Sequence, residues 1–139
     1  MAYVFVGLGG LLGAICRYQA GLWLTPGHAA SGPLTSLLAG FPVATLVVNV
    51  TGSFAIGLLA CWFASLGEVS EVALTVNLRL LFITGFLGAF TTFSTFSLDT
   101  LMLVQAGHLF RAGLNAGLNL FACLLAVAVG WWLATRLLA

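Results

Sequence analysis

The chain has 139 residues, 62% of them hydrophobic and 5% charged, with four basic and three acidic side chains and a net charge of +1. All four basic residues are arginines; there is no lysine. With a mean hydropathy of +1.19 this composition excludes a soluble globular domain and describes an integral membrane protein. Four segments, roughly 2–24, 42–65, 77–104 and 111–138, supply the about 20 apolar residues that each helical crossing needs. Residues 1–139 therefore read as one all-α, four-helix transmembrane domain with short connections.

The first segment lacks a basic leading region and carries Arg17 inside its apolar run, so it reads as a retained helix and not a cleaved signal. Gly9, Gly13, Arg17 and Gly21 recur every four residues. Small residues at that interval let helix backbones approach closely, and the glycines are assigned to packing. A guanidinium within an apolar helix must reach the interface, a partner or water, which makes Arg17 a structural anchor near a vestibule.

The second segment aligns Thr45, Asn49 and Ser53 on one face, among Val, Leu, Ile and Phe. The fourth repeats the interval with Gly113 and Gly117, assigned to packing, and aligns Asn115, Asn119 and Cys123. A carboxamide cannot shed its polarity by neutralisation, so three asparagines at membrane depth require partners or water. Together with a polar third segment they read as a track.

The third segment is the most informative. From Gly85 to Asp99, GFLGAFTTFSTFSLD, glycines and hydroxyl side chains interrupt what hydropathy alone treats as mid-membrane helix. Such backbone is tolerated at that depth where it is buried in protein or lines a polar cavity. Phe93 and Phe96 fall on one helical face, flanked by Ser94, Thr95 and Ser97. A ring edge carries weak positive potential, so two edges with nearby hydroxyl and carboxamide donors could offer an anion a site without a fixed charge, although phenylalanine pairs at helical spacing ordinarily serve packing. Asp99 is the one acid in a predicted span, placed at a vestibule or as the cap of a helix piece.

Other chemistries lack their residues. A proton-coupled exporter of the small multidrug type needs a carboxylate in its first helix, where Arg17 is the only charge. Cys16, Cys61 and Cys123 have neither paired spacing nor a nearby histidine. His28 and His108 fall in predicted loops, and no GxSxG serine or acid cluster supports an intramembrane enzyme. A structural subunit without transport would use the polar stripes for adhesion. With alternating helices, Arg79 and Arg136 lie on one side and Arg17 and Arg111 on the other. Two against two sets no orientation: either four arginines are too few to reveal the bias that fixes one, or molecules insert both ways and pair antiparallel. Oligomerisation also relieves the thin interior of a four-helix protomer.

GAICRY at 13–18, NVTGSF at 49–54 and GFLGAFTTFSTFS at 85–97 resemble the Fluc (CrcB) family of small bacterial fluoride channels over essentially the whole chain. The resemblance implies a passive channel of the bacterial inner membrane that exports fluoride, built as an antiparallel, dual-topology homodimer with two pores and a broken third helix. It further implies a structural sodium ion held by the backbone carbonyls of Gly88 and Thr91. Phe93 and Phe96 would face the ion, Asn49 would line the pore, and Ser94, Thr95, Asn115, Asn119 and Cys123 would form the polar track. Arg17 matches the first-helix arginine. Asp99 stands where many relatives have glutamate, and Asn115 where some have tyrosine.

Overall fold

The computed structural model describes residues 1–25, 40–66 and 73–138. The loop predicted around His28 lies outside them. Four spans are long and apolar enough to cross a membrane: Ala2–Leu24, Val43–Ser65, Ala73–Gln105 and Leu109–Leu138. Three are continuous helices, α1 (Ala2–Leu24), α2 (Val43–Ser65) and α6 (Leu109–Leu138). The third is composite. It runs from α3 (Ala73–Arg79) through a π-helical stretch (Leu80–Leu87) into α4 (Gly88–Phe90), leaves the helix at Thr91 and Thr92, and resumes as α5 (Phe93–Gln105). Thr91 has φ −79° and ψ 157°, and Thr92 φ −152° and ψ 114°; both are extended backbone.

Two helix pairs make up the bundle: α2 packs most extensively with α6, and α1 with the π-helical stretch. Glycine makes both contacts close. A methyl group at Gly13 would fall onto the Phe86 carbonyl oxygen, and one at Gly9 onto that of Leu81. In the other pair, Gly57 meets the Val127 carbonyl and Gly130 that of Phe54. This reciprocal arrangement brings the two backbones together without side chains between them. The small-residue stripe thus serves packing at Gly9 and Gly13. Gly21, Gly113 and Gly117 differ from the packing assignment, since nothing lies within 4 Å of where a Cβ would stand.

Only 11–22% of each span's most apolar window is buried inside the molecule. The interior is correspondingly small, and beside apolar residues such as Val48, Leu87 and Leu103 it encloses polar ones: Asn49, Thr92, Asn115 and Asn119 are all buried. These four residues gather beside the interruption in the third span.

Candidate functional site

The interruption is a tertiary construction. Backbone pairing in α4 runs out when the Thr91 N–H donates to the Leu87 carbonyl at 3.0 Å. One residue further, the Thr92 N–H turns away from the Gly88 carbonyl and donates to Asn49 Oδ1 at 2.9 Å. Asn49 Nδ2 donates to the Thr92 carbonyl at 3.2 Å. An extended residue presents its N–H and C=O toward the same side, as in a β-ladder. The carboxamide of Asn49 pairs with both, doing for Thr92 what one residue of a neighbouring strand does in a sheet. Without it, two strong backbone groups would be buried and unpaired.

Thr92 then starts the next helix. Its hydroxyl accepts the Thr95 N–H at 3.1 Å, the N-cap bond that satisfies one of the orphan donors of a first turn. The same oxygen lies 3.0 Å from Thr95 Oγ1 and 3.2 Å from Ser94 Oγ, so three hydroxyls cluster on the first turn of α5. The cap predicted as one alternative for Asp99 is therefore Thr92. Asp99 sits well inside α5 and accepts the Thr45 hydroxyl at 2.7 Å.

All three sequence motifs converge on the break. From NVTGSF, Asn49 clamps Thr92, and Gly52 leaves room where a Cβ would strike the Thr91 methyl group and press on the Phe90 ring. From GAICRY, Gly13 seats α1 against Phe86, and the Arg17 guanidinium reaches to 3.5 Å from the Thr91 carbonyl. Arg17 is thus held at the break, which gives the anchor predicted near a vestibule a specific partner.

The asparagines continue inward from this point. Asn49 Nδ2 also donates to Asn119 Oδ1 at 3.0 Å. Asn119 Nδ2 donates to the Asn115 carbonyl at 3.1 Å and to Asn115 Oδ1 at 3.0 Å. Asn115, whose exposure is 0%, donates to Thr100 Oγ1 at 2.9 Å. Thr100 was not singled out by the sequence; its one signal is a place one turn beyond Phe96.

Beside the break runs a groove of about 630 Å³, walled mostly by apolar residues such as Ile56, Leu87, Leu120 and Val127, with Asn49, Ser53, Gly88, Thr91, Phe93, Phe96, Asn119 and Cys123 also on its border. The Phe93 and Phe96 rings have centroids 5.2 Å apart and planes inclined by 56°. Phe96 is half-buried and Phe93 is 79% exposed. Ser94 and Thr95 are exposed on the adjoining turn. Asn115 does not border the groove; it lies behind Asn119. Among the described residues no group of three His, Cys, Asp or Glu side chains is placed to hold a metal.

The backbone at the break has a different capacity. The Gly88 carbonyl has lost its usual donor four residues on, because that N–H is bonded to Asn49, and Gly88 itself is exposed. Carbonyl oxygens of this kind suit a hard cation. Half-helix ends offer both signs at one place, carbonyls where α4 stops and N–H groups where α5 starts.

Residues 4–131 match the family model described as CrcB-like protein, Camphor Resistance (CrcB). A protein of Sulfurovum sp. named fluoride-specific ion channel FluC is 43% identical over 132 residues, covering 95% of this chain and 92% of the relative. The protein of that name from Nitratiruptor sp. is 46% identical over 114 residues, covering 82% and 77%. Another, from Hyphomonas neptunium, is 38% identical over 138 residues, covering 99% and 98%.

Proposed function

The chain belongs to the CrcB-like family, and on that premise we propose that it is a passive, fluoride-selective channel of the bacterial inner membrane that lowers cytoplasmic fluoride. The observation that carries this reading is the clamped break: Asn49 holds Thr92 extended, and the helix start, the hydroxyl cluster and the Phe93–Phe96 pair meet beside one groove. Fluoride is small and firmly hydrated, so a pore must exchange its water for dense donors yet release it at the far end. Hydroxyls of Ser94 and Thr95, the edges of Phe93 and Phe96 and the N-terminal dipole of α5 supply positive potential without a fixed cation that would trap the ion.

Cells make the task passive. Hydrogen fluoride enters uncharged and dissociates in a more alkaline cytoplasm, and the membrane potential then drives the anion out through an open pore. No energy source or catalytic residue is required. Expression in a bacterium lacking its own fluoride exporter tests this: growth in fluoride should recover, and growth as poor as with empty vector would reject the reading.

The assembly in this reading is an antiparallel homodimer. The groove and the exposed Gly88 open on the surface of the single chain, and a second copy there would enclose them. Carboxyl-terminal reporters should then signal from both sides of the membrane; a signal from one side alone contradicts dual topology. Where two breaks meet, the carbonyls of Gly88 and of Thr91, the latter also facing the Arg17 guanidinium, would hold a sodium ion. Bound there, the ion supplies a positive charge that offsets the carbonyl dipoles and lowers the cost of a nearby anion. Exchange of sodium for a bulky organic cation should slowly reduce the dimer fraction on size exclusion; a dimer equally stable in both buffers would remove the ion from the account.

A further inference from the structure

The hydrogen bonds beyond Asn49 form one directed chain that leaves the break and comes back to the same helix. It runs from the Thr92 N–H to Asn49, from Asn49 to Asn119, from Asn119 to Asn115 and from Asn115 to Thr100. The Thr100 hydroxyl closes it by donating to the Phe96 carbonyl at 2.8 Å. Its two ends, Thr92 and Phe96, bracket the first turn of α5, which carries Phe93, Ser94 and Thr95.

We infer that Asn119, Asn115 and Thr100 are positioning residues that brace this turn through Asn49. What the turn is positioned for rests on the fluoride-channel reading; the brace itself does not. Three observations carry it. Both hydrogens of Asn49 Nδ2 have acceptors, the Thr92 carbonyl and Asn119 Oδ1, and Asn119 Nδ2 likewise has two on Asn115. Each amide nitrogen thus has two acceptors inside the protein within hydrogen-bond distance. Asn115 is fully enclosed, and neither it nor Thr100 borders the groove.

The third observation is polarity. A backbone N–H only donates and a carbonyl only accepts, so Thr92 fixes which way the Asn49 carboxamide faces. Asn49 then presents a donor to Asn119, whose oxygen must accept, and the same rule passes through Asn115 to Thr100. Reversing any one amide would set oxygen against oxygen or N–H against N–H in a buried site. The brace therefore has one permitted arrangement and sends the constraint from the break to a residue on the next turn of α5.

Thr100 gives the sharpest test, because it is remote from Thr92 in the chain and a role at the break is not legible from its position. Hydrogen exchange at the Thr92 amide is measured in the full-length protein in detergent, without fluoride. Thr100→Val should accelerate it by about tenfold or more, since an enclosed carboxamide loses its acceptor. Thr100→Ser, which keeps the hydroxyl, should exchange as the wild type does. Asn119→Leu should act more strongly, and adding it to Asn49→Leu should give no further acceleration. Wild-type exchange in Thr100→Val, equal acceleration by Ser and Val, or a fully additive double variant would overturn the brace. Where Asn119→Leu fails to fold, the Thr100 pair decides. Because the readout needs no fluoride, a wild-type protein that conducts none would defeat the channel reading and leave this result standing.

Discussion

Asn49→Leu is expected to abolish fluoride conduction while leaving a helical membrane protein that still inserts. The substitution leaves the buried Thr92 N–H and C=O and the Asn119 oxygen without their partner. Each unpaired group costs about 1–3 kcal/mol, so with three of them the extended conformation at Thr92 loses roughly 3–9 kcal/mol against rearranged alternatives. That corresponds to a fall of at least about a hundredfold in the population of the conducting geometry. Asn49→Asp separates the clamp from simple volume. The carboxylate still accepts the Thr92 N–H, yet it faces the Thr92 carbonyl and Asn119 Oδ1 with oxygen where N–H groups belong. Flux should therefore be lost in Asp as in Leu, and efflux from liposomes near the wild-type rate in either variant would show that the break holds itself.

The second large effect is expected at the aromatic pair. Phe96→Ile keeps a branched apolar side chain of similar bulk but removes the ring edge, and with it the positive rim that meets an anion. Phe96 lies one turn beyond the clamp, on the groove, with Phe93 as its ring neighbour. Fluoride efflux should fall at least about tenfold, and Phe93→Ile should act in the same direction. Both variants should still fold and insert, because the helix pairs within the chain are held by the glycine contacts of α1 and α6 and not by these rings. Unchanged flux in both would return the pair to ordinary packing.

The parts of this architecture that follow from composition were legible without coordinates. Apolar length marks a span because hydrocarbon tolerates little else, and the glycines and hydroxyls between Gly85 and Asp99 signal helix that cannot face lipid. Where the third span breaks was less accessible from the residues alone. No proline marks Thr91 or Thr92; the interruption is imposed by Asn49, more than forty positions earlier, and depends on Gly52 for space. The π-helical register of Leu80–Leu87 has no local signature either, since LLFITGFL suits an α-helix equally well and its geometry is set against α1.

Spacing found the polar stripes but not their wiring. Asn115 and Asn119 are four apart on one face, which put them on a common line with Cys123. Periodicity cannot say which carboxamides have all their hydrogens engaged, because that depends on partners from other helices. Thr100 looked like one more hydroxyl in an apolar stretch and proves to be the far end of the network. Gly113 and Gly117 show the converse: an interval suited to close packing, at positions where no described residue stands within 4 Å of a Cβ.

In the proposed channel a clamped break in the third span opens a path for fluoride and refuses larger, less demanding halides. Purified wild-type protein in liposomes, with voltage set by a potassium gradient and ionophore, tests it through paired measurements of fluoride and chloride efflux. Rapid fluoride release with chloride at the level of protein-free liposomes is the predicted result. Equal rates for the two ions, or fluoride no faster than in liposomes without protein, would contradict it.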